Sequence, residues 1–275
     1  MLMALSGVHH VDIGYKYKDD LRTDELAIRI HVHNKLGNRL LAGDALPKKI
    51  DGKITDVVVN TPVLQSREGK RFDVVEGGIQ VHNINIHNMG TLGLILRHET
   101  GSIVGLSNHH VLVGADGRLG DAISQPWVYR PENKDIIGKV LKFNLNYDCA
   151  IVELNNKRRY DISILQLTPN LSRVIPSLSR GIAVAKSGIT TGVTYGIIDG
   201  FDERGSIYIS KNDVKPNPSN ILSAQGDSGS VWIVDDAARN TAVGLHYRGS
   251  TDKTFAYCYD MRRVMREMSI NFINP

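Results

Sequence analysis

Apolar and polar residues alternate with a period of two along much of this 275-residue chain. Ile28-Arg29-Ile30-His31-Val32-His33 is the plainest example, and the pattern is that of a strand with one buried face. Short apolar or β-branched runs at residues 56–59, 92–96, 149–154, 196–198, 206–209, 231–234 and 242–245 predict further strands. Turn-forming groups such as Ala115-Asp116-Gly117, Asp199-Gly200 and Arg204-Gly205 separate them. The period lengthens persuasively at the C-terminus. There Met261, Val264, Met265 and Met268 make one apolar stripe, which predicts a helix capped by Asp260. Those methionines read as core packing, not as a cofactor box. Strands succeed strands without alternating helices, which predicts a mainly β chain of closed or sandwiched antiparallel sheets.

Composition narrows the picture. Apolar residues make up 41% and charged residues 23%, the balance of a globular chain. The length predicts about two domains. The net charge is only +4 and no basic tract stands out, so no nucleic-acid partner is expected. No apolar stretch reaches the length of a membrane-spanning helix, so no membrane association is expected. The N-terminus lacks the basic region of a signal peptide. Together with a count of two cysteines, Cys149 and Cys258, this predicts a cytoplasmic, reduced chain with both thiols buried as small apolar groups. Polar stretches near 60–78 and 155–160 divide the chain into an N-terminal module (1–77), a middle β unit (78–160) and a C-terminal β unit (161–275).

Candidate chemistry centres on Gly226-Asp227-Ser228-Gly229-Ser230, set before the predicted strand 231–234. A nucleophilic serine needs a tight turn, and glycines let the backbone bend and substrate approach. Backbone N–H groups of such a turn can converge on an oxyanion. A base is offered by Ser107-Asn108-His109-His110-Val111, where either histidine would serve. Asp148, at the mouth of the run 149–154, would orient that base. The order is histidine, aspartate, serine, which differs from the subtilisin and α/β-hydrolase orders.

These three segments resemble the motifs of trypsin-like serine peptidases. Ser107-Asn108-His109-His110-Val111 is similar to the Thr/Ser-Asn-x-His-Val motif of their bacterial branch, which selects His110. Asp148-Cys149-Ala150-Ile151-Val152 resembles the aspartate motif, and residues 226–230 the serine motif. Gly90-Thr91-Leu92-Gly93 and Lys186-Ser187-Gly188-Ile189-Thr190-Thr191-Gly192-Val193-Thr194-Tyr195-Gly196 resemble an intracellular branch that includes the plant narrow-leaf protein. Residues 23–32 and 50–58 resemble the N-terminal module of that branch. The resemblance implies two six-stranded antiparallel β-barrels with His110, Asp148 and Ser228 in the cleft between them. It implies an oxyanion hole from the N–H groups of Gly226 and Ser228, and a protein or peptide substrate. It also admits a homo-oligomer and a regulatory partner protein. No cofactor and no metal are implied. A latent binding or scaffold module on the same fold is the alternative.

Secreted digestive members of the family are cut to release an amine that pairs with the aspartate before the serine. Here Asp227 is present, but Val74-Val75-Glu76-Gly77-Gly78 is a poor match to the released terminus, so Asp227 is expected either to pair with an internal cation or to be solvated. Leu222, six residues before Ser228, with Gly244 and His246 would face substrate by the same resemblance. His31 with His33, His9 with His10, and the scattered His82 and His87 raise a metal site, but no third ligand is evident. Residues 157–159 read as a solvated turn.

Overall fold

Strand follows strand through the chain, as the alternation predicts. The structure, a computed structural model, describes residues 8–18, 21–32, 35–36, 39–40, 46–59, 69–86, 88–128, 131–168, 171–217 and 220–273, with Leu2, Leu5 and Arg67. Two compact units, Met1–Val63 and Leu64–Pro275, divide inside the polar stretch near 60–78.

In the first unit, strand Val8–Lys18 pairs antiparallel with Leu21–Val32, which runs parallel to Lys53–Val59. Ile30 and Val32 are fully buried on one face, with Val57 packed against them. On the other face Arg29 meets Asp12 at 2.6 Å, and His31 Nε2 stands 3.5 Å from the same carboxylate. His33 and His87, and the side chains of His9 and His10, lie outside the described residues.

The second unit begins well before residue 78. Strand Val74–Gly77 pairs in parallel with Arg159–Ile164, and Val75 is buried with Ile79 and Val81. Strand Val74–Gly77 therefore packs within this unit. One sheet runs in the order Ile270–Asn271, Leu94–His98, Ile103–Ser107, Cys149–Leu154, Ile136–Asn144, Ala122–Ser124, Gln80–Asn83, Met89–Thr91. Leu94–His98 and Met89–Thr91, far apart in that order, are successive pieces of one stretch, joined at Leu92 and Gly93. Leu92 N–H donates to Ile79 O at 2.8 Å, and Gly93 N–H to Leu106 O at 2.7 Å. The sheet thus curls onto itself around Ile79, Val81, Leu92, Ile123 and Val152.

A second barrel closes fully. Strands Thr241–Gly249, Val231–Val234, Ala183–Gly188, Gly192–Phe201, Ser206–Lys211 and Phe255–Asp260 follow one another, and the last pairs back onto the first. Val184, Ile198, Ile207, Trp232 and Val243 fill it. A third core joins the barrels: Leu94, Leu106 and Ile151 from one meet Ala185, Val231 and Leu245 from the other. Burial of each such aliphatic side chain stabilises by about 1.5–3 kcal/mol. The C-terminal helix Met261–Met268 lays Met261, Val264 and Met268 into the same core. Its Asp260 carboxylate accepts from Arg262 N–H at 2.9 Å, the expected cap.

Cys149 and Cys258 are buried and unpaired. Burial pushes the Cys149 thiol up to about 12. Arg158 departs from the expected solvated turn. Its guanidinium donates to Gln125 O at 3.1 Å and Gln125 Oε1 at 2.8 Å, and burial draws it down to about 10.

Candidate active site

The histidine and aspartate segments interlock on the first barrel. Strand Ile103–Ser107 ends at Asn108, and the one-turn helix His109–Leu112 begins. Asp148 closes the turn into Cys149–Leu154 with a φ of 43°, a left-handed conformation that aspartate tolerates better than most residues. Four bonds fasten this corner. Asp148 O accepts from Asn108 Nδ2 at 2.8 Å and from His109 N–H at 3.1 Å. Asp148 Oδ1 accepts from His110 N–H at 3.0 Å, and Oδ2 lies 2.6 Å from His110 Nδ1. The carboxylate therefore holds the His110 ring and selects the tautomer with Nε2 as acceptor. His110 remains 43% exposed, so that nitrogen is reachable. His109 turns the other way, with its ring 5.0 Å from Phe143, and burial lowers its pKa.

The serine segment enters from the second barrel. Gly226 has a φ of +98° and Gly229 one of +94°, conformations that L side chains avoid. A Cβ at Gly229 would also strike Thr91 O and Ser107 Oγ of the first barrel. Ser228 O accepts from Thr91 N–H at 2.7 Å, and Gly226 O from Thr91 Oγ1 at 2.9 Å. A Cβ at Gly90 would lie 2.8 Å from Ser228 O and against Val111, the neighbour of His110. The loop thus abuts the histidine helix. Ser228 Oγ itself donates to Tyr247 O at 3.4 Å; among the described residues it makes no bond to His110. The N–H groups of Gly226 and Ser228 have no acceptor among the described residues.

Asp227 points away from the cleft into a buried clasp. Its Oδ2 receives Lys186 Nζ at 2.9 Å, Thr191 Oγ1 at 2.6 Å and Ala224 N–H at 3.0 Å. Its Oδ1 receives the N–H groups of Thr190 and Thr191, each at 3.1 Å. Lys186 and Asp227 are both fully buried. Burial works to raise the Asp227 pKa, but Lys186 and the hydroxyl of Thr191 outweigh it and hold the carboxyl below its usual range. Burial pulls the Lys186 ammonium down, against Asp227. The internal cation expected for Asp227 is therefore Lys186.

No protein-family model and no curated protein sequence matches the chain. Solved structures do. Thermobifida fusca protease A superposes with a TM-score of 0.55 at 14% identity, covering 74% of this chain and 100% of that one. A Nocardiopsis protease gives 0.53 at 15% identity, covering 73% and 99%. Cellulomonas bogoriensis chymotrypsin gives 0.53 at 18% identity, also covering 73% and 99%. The fold is that of the trypsin-like serine proteases.

Leu222, Gly244 and His246, the residues expected at substrate, are all buried in the second barrel. Leu222 is fully buried in the core of the second barrel, beside Gly196. Gly244 is packed against Cys258 and Tyr259 inside the sheet. His246 is also buried; its Nδ1 accepts from Trp232 Nε1 at 3.4 Å. The strand residue that reaches Ser228 is Tyr247, whose ring stacks 4.3 Å from that of Tyr259. Tyr259 in turn meets Tyr147, the neighbour of Asp148, edge to face at 5.7 Å. Thr91, Thr190, Thr191 and Tyr247 are the site residues that no local motif logic assigns a task. The signal for the first three was their place in the Gly90–Gly93 and 186–196 segments.

Burial, reinforced by the Lys186 ammonium, pulls the His246 imidazole down to about 3. A group depressed on folding contributes fully above its unfolded value of 6.5 and loses that contribution as pH falls toward 3. The unfolding free energy is expected to decline across that window by up to about 1.4 kcal/mol per pH unit. Urea melts of the wild type and H246Q at several pH values check this: the variant should show the shallower slope.

Proposed function

We propose that this protein is a serine endopeptidase in which Ser228 is nucleophile, His110 base and Asp148 its orienter. The observation that carries the reading is the pairing of His110 Nδ1 with Asp148 at 2.6 Å beside a serine loop with two unengaged N–H groups. Ser228 Oγ attacks the carbonyl carbon while His110 Nε2 takes its proton. The oxyanion is met by Gly226 and Ser228 N–H. The C–N bond breaks as His110 returns the proton to the leaving amine, and an acyl ester remains on Ser228. Water, deprotonated by His110, releases the acid and restores the serine. Asp148 stabilises the imidazolium formed in each half. The substrate is a protein or peptide, and the buried, unpaired thiols suit a reducing compartment. The intracellular branch resembled by residues 186–196 belongs to the same proposal.

A fluorophosphonate probe tests the reading. It should add one phosphonyl group to the intact protein, mapped to Ser228. His110→Ala should abolish labelling and His109→Ala should retain it; the reverse pattern would overturn the choice of base. A second reading, a latent protease-fold module, is favoured by one contact: the Ser228 hydroxyl rests on Tyr247 O. It predicts no labelling under any condition.

A further inference from the structure

We infer that Thr190 is a positioning residue that sets which way the oxyanion-hole peptide faces. The inference rests on the catalytic reading of Ser228 above.

In a trans peptide, C=O and N–H point to opposite sides. The Gly226 N–H belongs to the peptide whose carbonyl is Gln225 O. That carbonyl accepts from Thr190 Oγ1 at 2.7 Å. With the carbonyl drawn to Thr190, the N–H is turned to the other side, where it has no acceptor among the described residues. Gly226 cannot enforce this choice itself. Its φ of +98° lies in the glycine-only region, where the backbone rotates at little cost. A flip of this one peptide would put Gln225 O where Gly226 N–H stands, and a carbonyl there would repel a developing oxyanion.

The hydroxyl that selects the orientation is itself rigidly held. Thr190 N–H donates to Asp227 Oδ1 at 3.1 Å, and Asp227 is clamped by Lys186 and Thr191. The preceding residue is also pinned: Ile189 N–H donates to Thr91 Oγ1 at 3.1 Å, and Thr91 Oγ1 donates onward to Gly226 O at 2.9 Å. The two carbonyls flanking Gly226 N–H are thus fastened by two threonine hydroxyls, one from each barrel. Thr190 holds the carbonyl whose peptide carries the donor. The Thr190 hydroxyl lies directly against the glycine, since a Cβ at Gly226 would collide with Thr190 Oγ1.

The test is Thr190→Val, which removes the hydroxyl at nearly constant volume, beside Thr190→Ser, which keeps it. Loss of one oxyanion donor costs about a hundred- to a thousandfold in kcat, so partial misorientation in T190V should lower kcat and the acylation rate by at least about tenfold. KM for a peptide ester should hold within about twofold, and the affinity for a peptide boronate, which mimics the oxyanion, should fall in parallel with kcat. T190S should recover most of both. A merely structural role would shift the melting temperature or KM without the parallel loss of boronate affinity. If T190V does not fold, Thr190→Ala is read with the same assays. Wild-type acylation with unchanged kcat and boronate affinity in T190V would overturn the inference and leave the reading of Ser228 intact. A wild type that is never acylated would overturn both.

Discussion

Replacing Ser228 by alanine is expected to lower peptide turnover by about a million-fold, the scale lost when a triad nucleophile is removed. The expectation follows from how little else the hydroxyl does. Its single described bond is a long 3.4 Å contact to Tyr247 O, so its loss leaves no buried donor stranded and costs little stability. The loop conformation comes from Gly226, Gly229, Thr91 and the Asp227 clasp, none of which involves Oγ. S228A should therefore melt within a degree or two of the wild type while turning over essentially no substrate. Thermal melts and a fluorogenic peptide assay on the same preparations check both halves. Undiminished cleavage by S228A would sink the assignment. Intact mass of the two proteins after expression adds a second readout, since any self-cleavage of the wild type should vanish in S228A.

Lys186→Met is expected to have the largest effect on stability and to silence the site indirectly. Removing one partner of a buried ion pair costs about 3–5 kcal/mol, because the other charge stays buried and uncompensated. That is a large share of the roughly 5–15 kcal/mol by which a domain is stable. Asp227 would keep Thr191 Oγ1 and three N–H groups, which hold it in the barrel but do not neutralise it. Relief comes by protonating Asp227 or by turning it toward water. Turning it would drag Gly226 and Ser228, its neighbours on either side, out of place. Unfolding free energy by urea titration, together with fluorophosphonate labelling, should fall in K186M. K186M combined with D227N should recover part of the stability, because the stranded charge is gone. Full activity and stability in K186M would show that the clasp is dispensable.

In this structure the cation beside Asp227 comes from within the fold: it is Lys186. The lysine lies on strand Ala183–Gly188, inside the second barrel, so the charge is delivered by folding alone. Arg67 adds a further tie near this region, donating to Gly78 O at 3.1 Å and Ser187 Oγ at 2.7 Å.

Much of this was legible in the sequence. Residues 149–154 are apolar but for Glu153 and 231–234 wholly so, and both are strands to the residue. The methionine stripe became a helix because its period matches 3.6 and Asp260 caps it. Strand Ile136–Asn144 was passed over: Gly138 and a register shift between Val140 and Lys142 break its alternation. Strand Val8–Lys18 is not among the runs read from the sequence, and its Ile13 and Tyr15 face solvent. Leu222 and Gly244 are packed inside the barrel, whereas Tyr247 is the residue whose carbonyl meets Ser228.

The chain by itself determined its strand content, its C-terminal helix and the candidate triad, because periodicity, caps and glycine turns act over a few residues. It could not choose between His109 and His110 without a family resemblance. In the tertiary structure Asp148 stands against the His110 ring and Phe143 against that of His109. Tertiary structure alone also decided the partners of the serine loop. Lys186 meets Asp227 across 41 residues, and Thr91 meets Gly226 across 135. Such pairs share no local pattern. They exist because two curled sheets bring their edges together and leave a buried carboxylate that must find a cation.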